Sequence, residues 1–137
     1  MSTEENKALA RRVIEEMFNK GNLDVADELI APDYVDHDPA MPEDVRGPEG
    51  LKEYVSAYRS AFSDLHVEIE EQLAEGELVA TRWTGTGTHD GELAGIPPTG
   101  NWVTLPGMEI VRISGGKLVE GWEGYDSMTM MRQLGVV

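Results

Sequence analysis

Apolar residues recur at helical spacing through the first part of the chain. From residue 3 to residue 18 they fall every three or four positions, which predicts one amphipathic helix that stops at Gly21. A short second helix is expected to end near Ala31, because Pro32 disfavours helical geometry in the residue before it. A third helix has Pro48 in its first turn, a position that suits proline, and carries its apolar residues on one side.

After Asp64 the apolar period changes to two, which is the spacing of β-strands. The alternation predicts strands from residue 67, from 78 to 89, from 102 to 113 and from 117 to 125, with only a brief extended piece at Tyr34 and Val35. Residues 127–134 are expected to form a short cap. Helices followed by a run of strands predict an α+β fold with helices on one face of an antiparallel sheet. The length of 137 residues predicts a single domain over residues 1–137.

The last two strands form a predicted hairpin that carries one glutamate on each arm. Ser114-Gly115-Gly116-Lys117 joins them, and its glycines supply the positive φ angles of a tight turn. A three-residue turn with a glycine bulge would place Glu109 directly opposite Glu123 on one face of the sheet. A two-residue turn would instead pair Glu109 with Trp122. The register of this hairpin therefore decides whether the two carboxylates can form a site.

The charge balance excludes some classes of partner. There are 26 acidic and 11 basic residues, and the formal net charge of −15 repels phosphate backbones and anionic membrane surfaces. We therefore expect neither nucleic acid nor a membrane as partner. The chain has no cysteine, so a disulfide framework, a thiol nucleophile and a thiolate metal site are ruled out. Its polar, acidic N-terminus and the lack of a long apolar run predict a cytoplasmic protein.

Several aromatic residues are candidates for the wall of a ligand cavity. Tyr54 and Tyr58 fall on the apolar side of the third helix, and Trp83 shares a strand face with two side-chain-free glycine positions. Trp102 begins the next strand, and Tyr34 lies in the short extended piece. Each of these residues could equally pack in the core, and the pattern leaves both interpretations open.

Titratable residues cluster in a proline-rich loop and at the end of a strand. Asp36, His37 and Asp38 either cap turns or stand at a pocket mouth, where they would orient a substrate or act as a base. His89 is either a structural histidine bonded to a loop or a proton donor and acceptor in a pocket. The two histidines and the nearby acids lack helical or hairpin ligand spacing, so no metal site is predicted.

Four segments together resemble the SnoaL-like polyketide cyclase family, within the nuclear-transport-factor-2-like superfamily of cone-shaped α+β folds. They are APDYVDHDP at 31–39, GTHDGELAGIPPTG at 87–100, VRISGGKLVE at 111–120 and MRQLG at 131–135. The resemblance implies a curved antiparallel or mixed sheet whose concave face is covered by the N-terminal helices and encloses a pocket. It also implies an intramolecular aldol closure of a polyketide ester that needs neither metal nor cofactor.

The resemblance assigns roles by position. The aspartate that takes and returns protons in the family falls on Glu123, and the assisting histidine falls on Glu109, so both positions depart from the family pattern. The family asparagine near the pocket mouth matches Asp36, and the histidine of the GTHDG segment is present as His89. The more distant ketosteroid isomerases place a base carboxylate before a proline, which resembles Asp38.

A facing pair of carboxylates in an apolar cone predicts acid/base chemistry. The two groups cannot both ionise cheaply, so one of them keeps its proton to unusually high pH and the other can act as a base. An acid and a base placed together in this way can enolise a carbon beside a carbonyl group. In the alternative interpretation, Glu109 and Glu123 are solvated or pair across strands with Arg82 or Arg112.

Three hypotheses for function follow. The leading one is a cofactor-independent enzyme that cyclises or isomerises a small hydrophobic carbonyl compound. The second is a non-catalytic protein that binds a small ligand on the same fold. The third is an epoxide-type hydrolase, which would place Arg82 or Arg112 beside Glu123. The resemblance also implies a homodimer or higher homo-oligomer that associates through the outer face of the sheet.

Overall fold

The computed structural model describes residues 2–137 and confirms an α+β fold. The helices are α1 (Thr3–Val13), α2 (Val25–Leu29), α3 (Gly47–Ala61) and α4 (Ser127–Leu134), and a π-helical segment, Ile14–Asn19, continues α1. The strands are β1 (Ile30–His37), β2 (Val45–Arg46), β3 (His66–Glu75), β4 (Leu78–Thr88), β5 (Trp102–Ser114) and β6 (Lys117–Tyr125). No helix within residues 2–137 is long and apolar enough to cross a bilayer.

The first helix is capped at its start and changes its winding at its end. The Ser2 hydroxyl accepts a hydrogen bond from the Glu5 N–H at 3.1 Å, and the Glu5 carboxylate accepts one from the Ser2 N–H at 3.2 Å. The π-helical segment was not predicted, because its apolar spacing resembles that of an α-helix. The Arg59 guanidinium holds its last turn by donating to the Phe18 carbonyl at 2.6 Å. This anchoring fixes a helical face that lines the cavity described below.

All six strands form one mixed sheet in the order β2-β1-β6-β5-β4-β3. Only β1 and β6 run parallel, and every other neighbouring pair of strands is antiparallel. Two clusters of buried apolar side chains pack between the inner face of this sheet and the helices, one around Met17 and Val111 and the other around Phe62 and Val103. The inner face is therefore the side of the sheet that can hold a site.

The hairpin pairs Glu109 with Glu123 by a route that the sequence did not predict. The three-residue turn that was considered for this pairing does not form, because Ser114 pairs with Lys117 around a two-residue turn whose glycines both have positive φ angles. A bulge at Val119 then leaves that residue without a partner and moves the register by one. The predicted alternative, in which a two-residue turn pairs Glu109 with Trp122, is therefore wrong.

The first strand is longer than predicted and replaces the end of the second helix. β1 covers eight residues, Ile30–His37, and α2 ends at Leu29. Its last residues alternate between the faces of the sheet, so Asp36 is buried on the inner face whereas His37 lies on the outer face. The segment that was interpreted as a loop is thus a strand that delivers an acid to the inner face.

Candidate functional site

A largely apolar cavity lies between the inner face of the sheet and the helices. It has an empty volume of about 780 Å³, which includes the open solvent at its mouth. Six of its lining residues are aromatic: Phe18, Tyr54, Tyr58, Phe62, Trp83 and Tyr125. Its carboxylic acids are Glu109 and Glu123. The cavity therefore combines an apolar wall with one acidic position.

Glycines on the inner face make room for the aromatic wall. A Cβ atom at Gly107 would overlap the Trp83 ring, and one at Gly87 would lie 2.9 Å from the Cβ atom of Phe62. The face that was predicted to be bare of side chains is thus covered by rings from other positions. Trp83 also lies 6.4 Å from Tyr125, measured between ring centroids.

Glu109 and Glu123 face the cavity from neighbouring strands. They are paired across β5 and β6, and both side chains are partly buried, with their accessible surface on the cavity. Burial raises the pKa of Glu109 to about 7. Burial also raises the pKa of Glu123 well above its usual value, and the negative charges of Glu109 and Asp36 raise it further. One of these carboxyl groups therefore keeps its proton at neutral pH.

Neither arginine that could neutralise the pair lies near it. Arg82 is 3.6 Å from Glu71, and Arg112 is 3.8 Å from Glu77, in both cases between side-chain nitrogen and carboxylate oxygen. Both side chains are about half exposed, at 52% and 40%, on the opposite face of the sheet. The alternative in which these arginines pair with Glu109 or Glu123 is therefore wrong.

Asp36 is a third carboxylic acid of this group, placed behind Glu123. It lies opposite Gly121 on β6, is only 1% exposed, and does not line the cavity. Its negative charge helps to raise the pKa of Glu123. Burial raises the pKa of Asp36 itself to about 6. The predicted place at the pocket mouth is therefore wrong for Asp36, and the three acids form a row across β1, β6 and β5.

Two pairs of hydrogen-bonded side chains support the wall of the cavity. The Tyr54 hydroxyl donates to the Asp38 carboxylate at 2.7 Å, and the hydroxyls of Tyr58 and Tyr125 lie 2.9 Å apart. Asp38 also accepts a hydrogen bond from the Ala40 N–H at 2.8 Å and does not line the cavity. Asp38 therefore holds a tyrosine in place and does not reach a ligand in the cavity.

Two predicted ligand-binding residues lie on the outer face of the sheet. The His37 ring is 3.0 Å from the Glu120 carboxylate, and this hydrogen bond is the main cause of its raised pKa. Trp102 is 57% exposed. Neither residue lines the cavity, because strand alternation turns their side chains away from it.

His89 and Tyr34 are buried but do not line the cavity. The His89 Nδ1 atom accepts a hydrogen bond from the Thr99 N–H at 3.2 Å and lies 3.0 Å from the Thr99 hydroxyl. Its main chain bonds Gly100 and Asn101, so His89 ties down the loop that follows β4. These contacts match the structural alternative, and the His89 Nε2 atom is buried without a hydrogen-bond partner. The Tyr34 hydroxyl packs against Gly121 beside Asp36.

Other residues of the site were missed at the sequence level. Tyr125 follows Glu123 by two positions on the same strand, so alternation could have placed it on the inner face. Phe18 and Phe62 belong to the apolar sides predicted for the first and third helices, a pattern that does not separate cavity-lining residues from core residues. The role of Gly121 could not be recognised from the sequence, because it depends on how closely β1 approaches this residue.

The chain is similar to known proteins over most of its length. The family model described as SnoaL-like polyketide cyclase matches residues 8–134. An aklanonic acid methyl ester cyclase of Streptomyces peucetius is 32% identical over 133 residues, which cover 93% of this chain and 88% of the relative. A nogalonic acid methyl ester cyclase of Streptomyces nogalater is 34% identical over 124 residues, with coverage of 86% and 89%.

Solved structures share the fold over nearly the whole chain. Wild-type IdmH of Streptomyces antibioticus superposes with a TM-score of 0.82 at 34% identity, covering 96% of this chain and 99% of that one. A SnoaL-like protein of Jannaschia sp. CCS1 superposes with a TM-score of 0.90 at 23% identity, covering 98% and 94%. The second similarity concerns the fold alone.

Proposed function

The chain belongs to the SnoaL-like polyketide cyclase family, and we propose that it is a polyketide cyclase that closes a carbon ring by an intramolecular aldol reaction. The observation that carries the proposal is the pair of opposed carboxyl groups, Glu109 and Glu123, on the wall of an apolar cavity. Such a pair supplies an acid and a base at the same pH.

The reaction needs only proton transfers from the protein. The ionised carboxylate removes a proton from a carbon beside a carbonyl group, and the protonated carboxyl donates a hydrogen bond to the developing enolate oxygen. The enolate carbon then attacks a second carbonyl carbon of the same molecule, which forms the new C–C bond. The resulting alkoxide takes up the proton that the base removed. Substrate and product are therefore isomers, and the carboxyl pair returns to its starting state.

The cavity suits a small hydrophobic substrate. Its aromatic wall can stack on a polycyclic compound, and Trp83 and Tyr125 stand side by side in that wall. The relatives named above act on methyl esters of aklanonic and nogalonic acid. We therefore propose that the substrate is an ester of a polyketide acid, whose neutral ester group avoids the charge repulsion that a free carboxylate would meet beside Glu109 and Glu123.

The test is ring closure of aklanonic acid methyl ester, followed by chromatography and mass spectrometry. We expect the native protein to give a product of unchanged mass, and the double variant Glu109→Gln/Glu123→Gln to lose about 10²- to 10⁴-fold in rate. Glu120→Gln is the matched control, because it removes an acid from the outer face of the same strand. Binding of this ester and of nogalonic acid methyl ester without any conversion would contradict the proposal and favour the binding-protein hypothesis.

The assembly is a further part of this proposal. Trp102, Met108 and Ile110 are 57%, 59% and 44% exposed on the outer face of β5. We propose that a second copy of the chain covers this face, since burying large apolar side chains favours association.

The absence of cysteine keeps the reducing cytoplasm as the expected location.

A further inference from the structure

We propose that Asp36 is a positioning residue that keeps the shared proton on Glu123 and thereby leaves Glu109 as the base. The inference rests on the proposed cyclase function for its catalytic meaning, but the proton distribution itself can be measured without turnover. It reverses the roles that family resemblance implies, in which Glu123 matches the residue that takes the proton from carbon.

The two glutamates are otherwise equivalent. They have the same side chain, lie directly opposite each other, and both line the cavity. What distinguishes them is the third acid. Asp36 is on β1, which pairs with β6 and not with β5, and it lies opposite Gly121, two residues before Glu123 on the same face of β6. Asp36 therefore breaks the symmetry of the pair.

The packing around Gly121 keeps Asp36 in this position. A Cβ atom at Gly121 would lie 2.9 Å from the Asp36 Oδ1 atom and 2.8 Å from the Tyr34 hydroxyl oxygen. Any residue other than glycine would therefore push these groups aside. Asp36 is also 1% exposed, so solvent does not hydrate its carboxyl group.

The Asp36 oxygen atoms are buried without a hydrogen-bond partner. Within residues 2–137, no N–H group or hydroxyl donates to either of them in hydrogen-bond geometry, although the Tyr34 hydroxyl lies beside them and lowers the pKa of Asp36. An ionised carboxylate in such a place is costly unless a donor faces it. A proton on Glu123 adds such a donor.

Electrostatics favours the same arrangement. In the strand order, β6 with Glu123 lies between β1 with Asp36 and β5 with Glu109, so a proton on Glu123 leaves the two negative charges on strands that are not neighbours. Asp38, directly after β1, adds a further negative charge, while burial raises the pKa values of Tyr34 and Tyr54 and keeps both neutral. His37, the nearest imidazole on β1, faces Glu120 on the outer side.

The pKa shifts of the three acids also favour a proton on Glu123. Burial raises the pKa of Asp36 to about 6 and that of Glu109 to about 7, whereas Glu123, between two acids, is raised well above its usual value. At neutral pH, Glu109 is then close to half ionised, which suits a general base, and Glu123 is an acid that can donate to an enolate oxygen.

The test is a carboxyl ¹³C NMR titration of the native protein, with Glu109→Gln and Glu123→Gln used to assign the signals. We expect Glu123 to be the last of the three to ionise. Asp36→Asn should lower the pKa of Glu123 by about 1–2 pH units, and by more than that of Glu109, because the charge is lost and the amide can donate to an ionised Glu123. The control Glu120→Gln, on the outer face of β6, should leave both unchanged.

A second variant and a kinetic comparison complete the test. Gly121→Ala should displace Asp36 and shift both glutamates in the same direction as Asp36→Asn, so it carries the test if Asp36→Asn does not fold. With the ester substrate, Glu109→Gln should lose at least about 1,000-fold in rate, and Glu123→Gln only about 10-fold, because its amide still donates a hydrogen bond. A native protein in which Glu109 keeps its proton to higher pH than Glu123 would overturn the inference, even if the protein is a cyclase. The expected titration without ring closure would refute the cyclase proposal alone.

Discussion

Glu109 and Glu123 lie directly opposite each other on two neighbouring antiparallel strands, with both carboxyl groups facing one apolar cavity. Ionising both acids in this arrangement is energetically unfavourable, so one of the two carboxyl groups keeps its proton at neutral pH. This retained proton connects the stability of the protein with the chemistry we propose for it.

Replacing Glu109 by Gln should stabilise the protein more at pH 8 than at pH 4.5. The pKa of Glu109 is raised to about 7 in the folded state, so the folded protein binds more protons than the unfolded chain between about 4.5 and 7. The contribution of Glu109 to stability is therefore greatest below this window and is lost as the pH rises through it. The variant should gain on the order of 2 kcal/mol relative to the native protein across the window.

Urea unfolding at several pH values measures this difference. Glu120→Gln serves as the control, since Glu120 is on the outer face and pairs with His37. A stability difference between Glu109→Gln and the native protein that stays constant from pH 4.5 to pH 8 would show that Glu109 is not held in a poorly solvated place.

His89→Gln should reduce stability without changing the pH dependence of turnover. His89 is fully buried, and its ring accepts a hydrogen bond from the Thr99 main chain. Losing this bond should cost about 1–2 kcal/mol, since it leaves a buried donor unpaired. Thermal melting and the pH profile of kcat measure the two effects, with the exposed His37→Gln as control. A pH profile that loses one limb in His89→Gln would restore His89 to the catalytic machinery.

Ile110→Lys should convert the proposed dimer into monomers. A lysine at this exposed position of β5 would place a charge in the middle of the outer face, and burying that charge opposes association. Sedimentation velocity measures the assembly directly. Met128→Lys, an equally drastic change at a 50% exposed position of α4, should leave the dimer intact. A native protein that sediments as a monomer at all concentrations tested would contradict the proposed assembly.

The fold and the carboxyl pair could be predicted from local pattern. Period-two alternation places Glu109 and Glu123 on one face once their pairing is known, and the glycines identify the turn. The turn length alone would have given the wrong pairing, because the bulge at Val119 depends on how β6 fits between β1 and β5. Of the two registers that the sequence left open, the one that pairs Glu109 with Glu123 is observed, with a turn one residue shorter than that register was expected to need.

The rest of the site depends on contacts between distant segments. Prolines at 39 and 42 favoured a loop interpretation of the preceding acids, and only pairing with β6 shows that β1 continues to His37. That continuation sends Asp36 inward and His37 outward, and Trp102 is exposed because it begins a strand on the outer side. Such placements follow from tertiary pairing, which no local propensity encodes.

Deuterium exchange at the reacting carbon tests the central claim most directly, namely that the carboxyl pair enolises its substrate. An analogue of aklanonic acid methyl ester without the acceptor carbonyl can be enolised but cannot close a ring. In D₂O, the native protein should exchange the proton beside the remaining carbonyl group, as followed by NMR, and Glu109→Gln/Glu123→Gln should exchange it no faster than buffer does. Equal exchange by the native protein and the double variant, with both binding the analogue, would contradict the account.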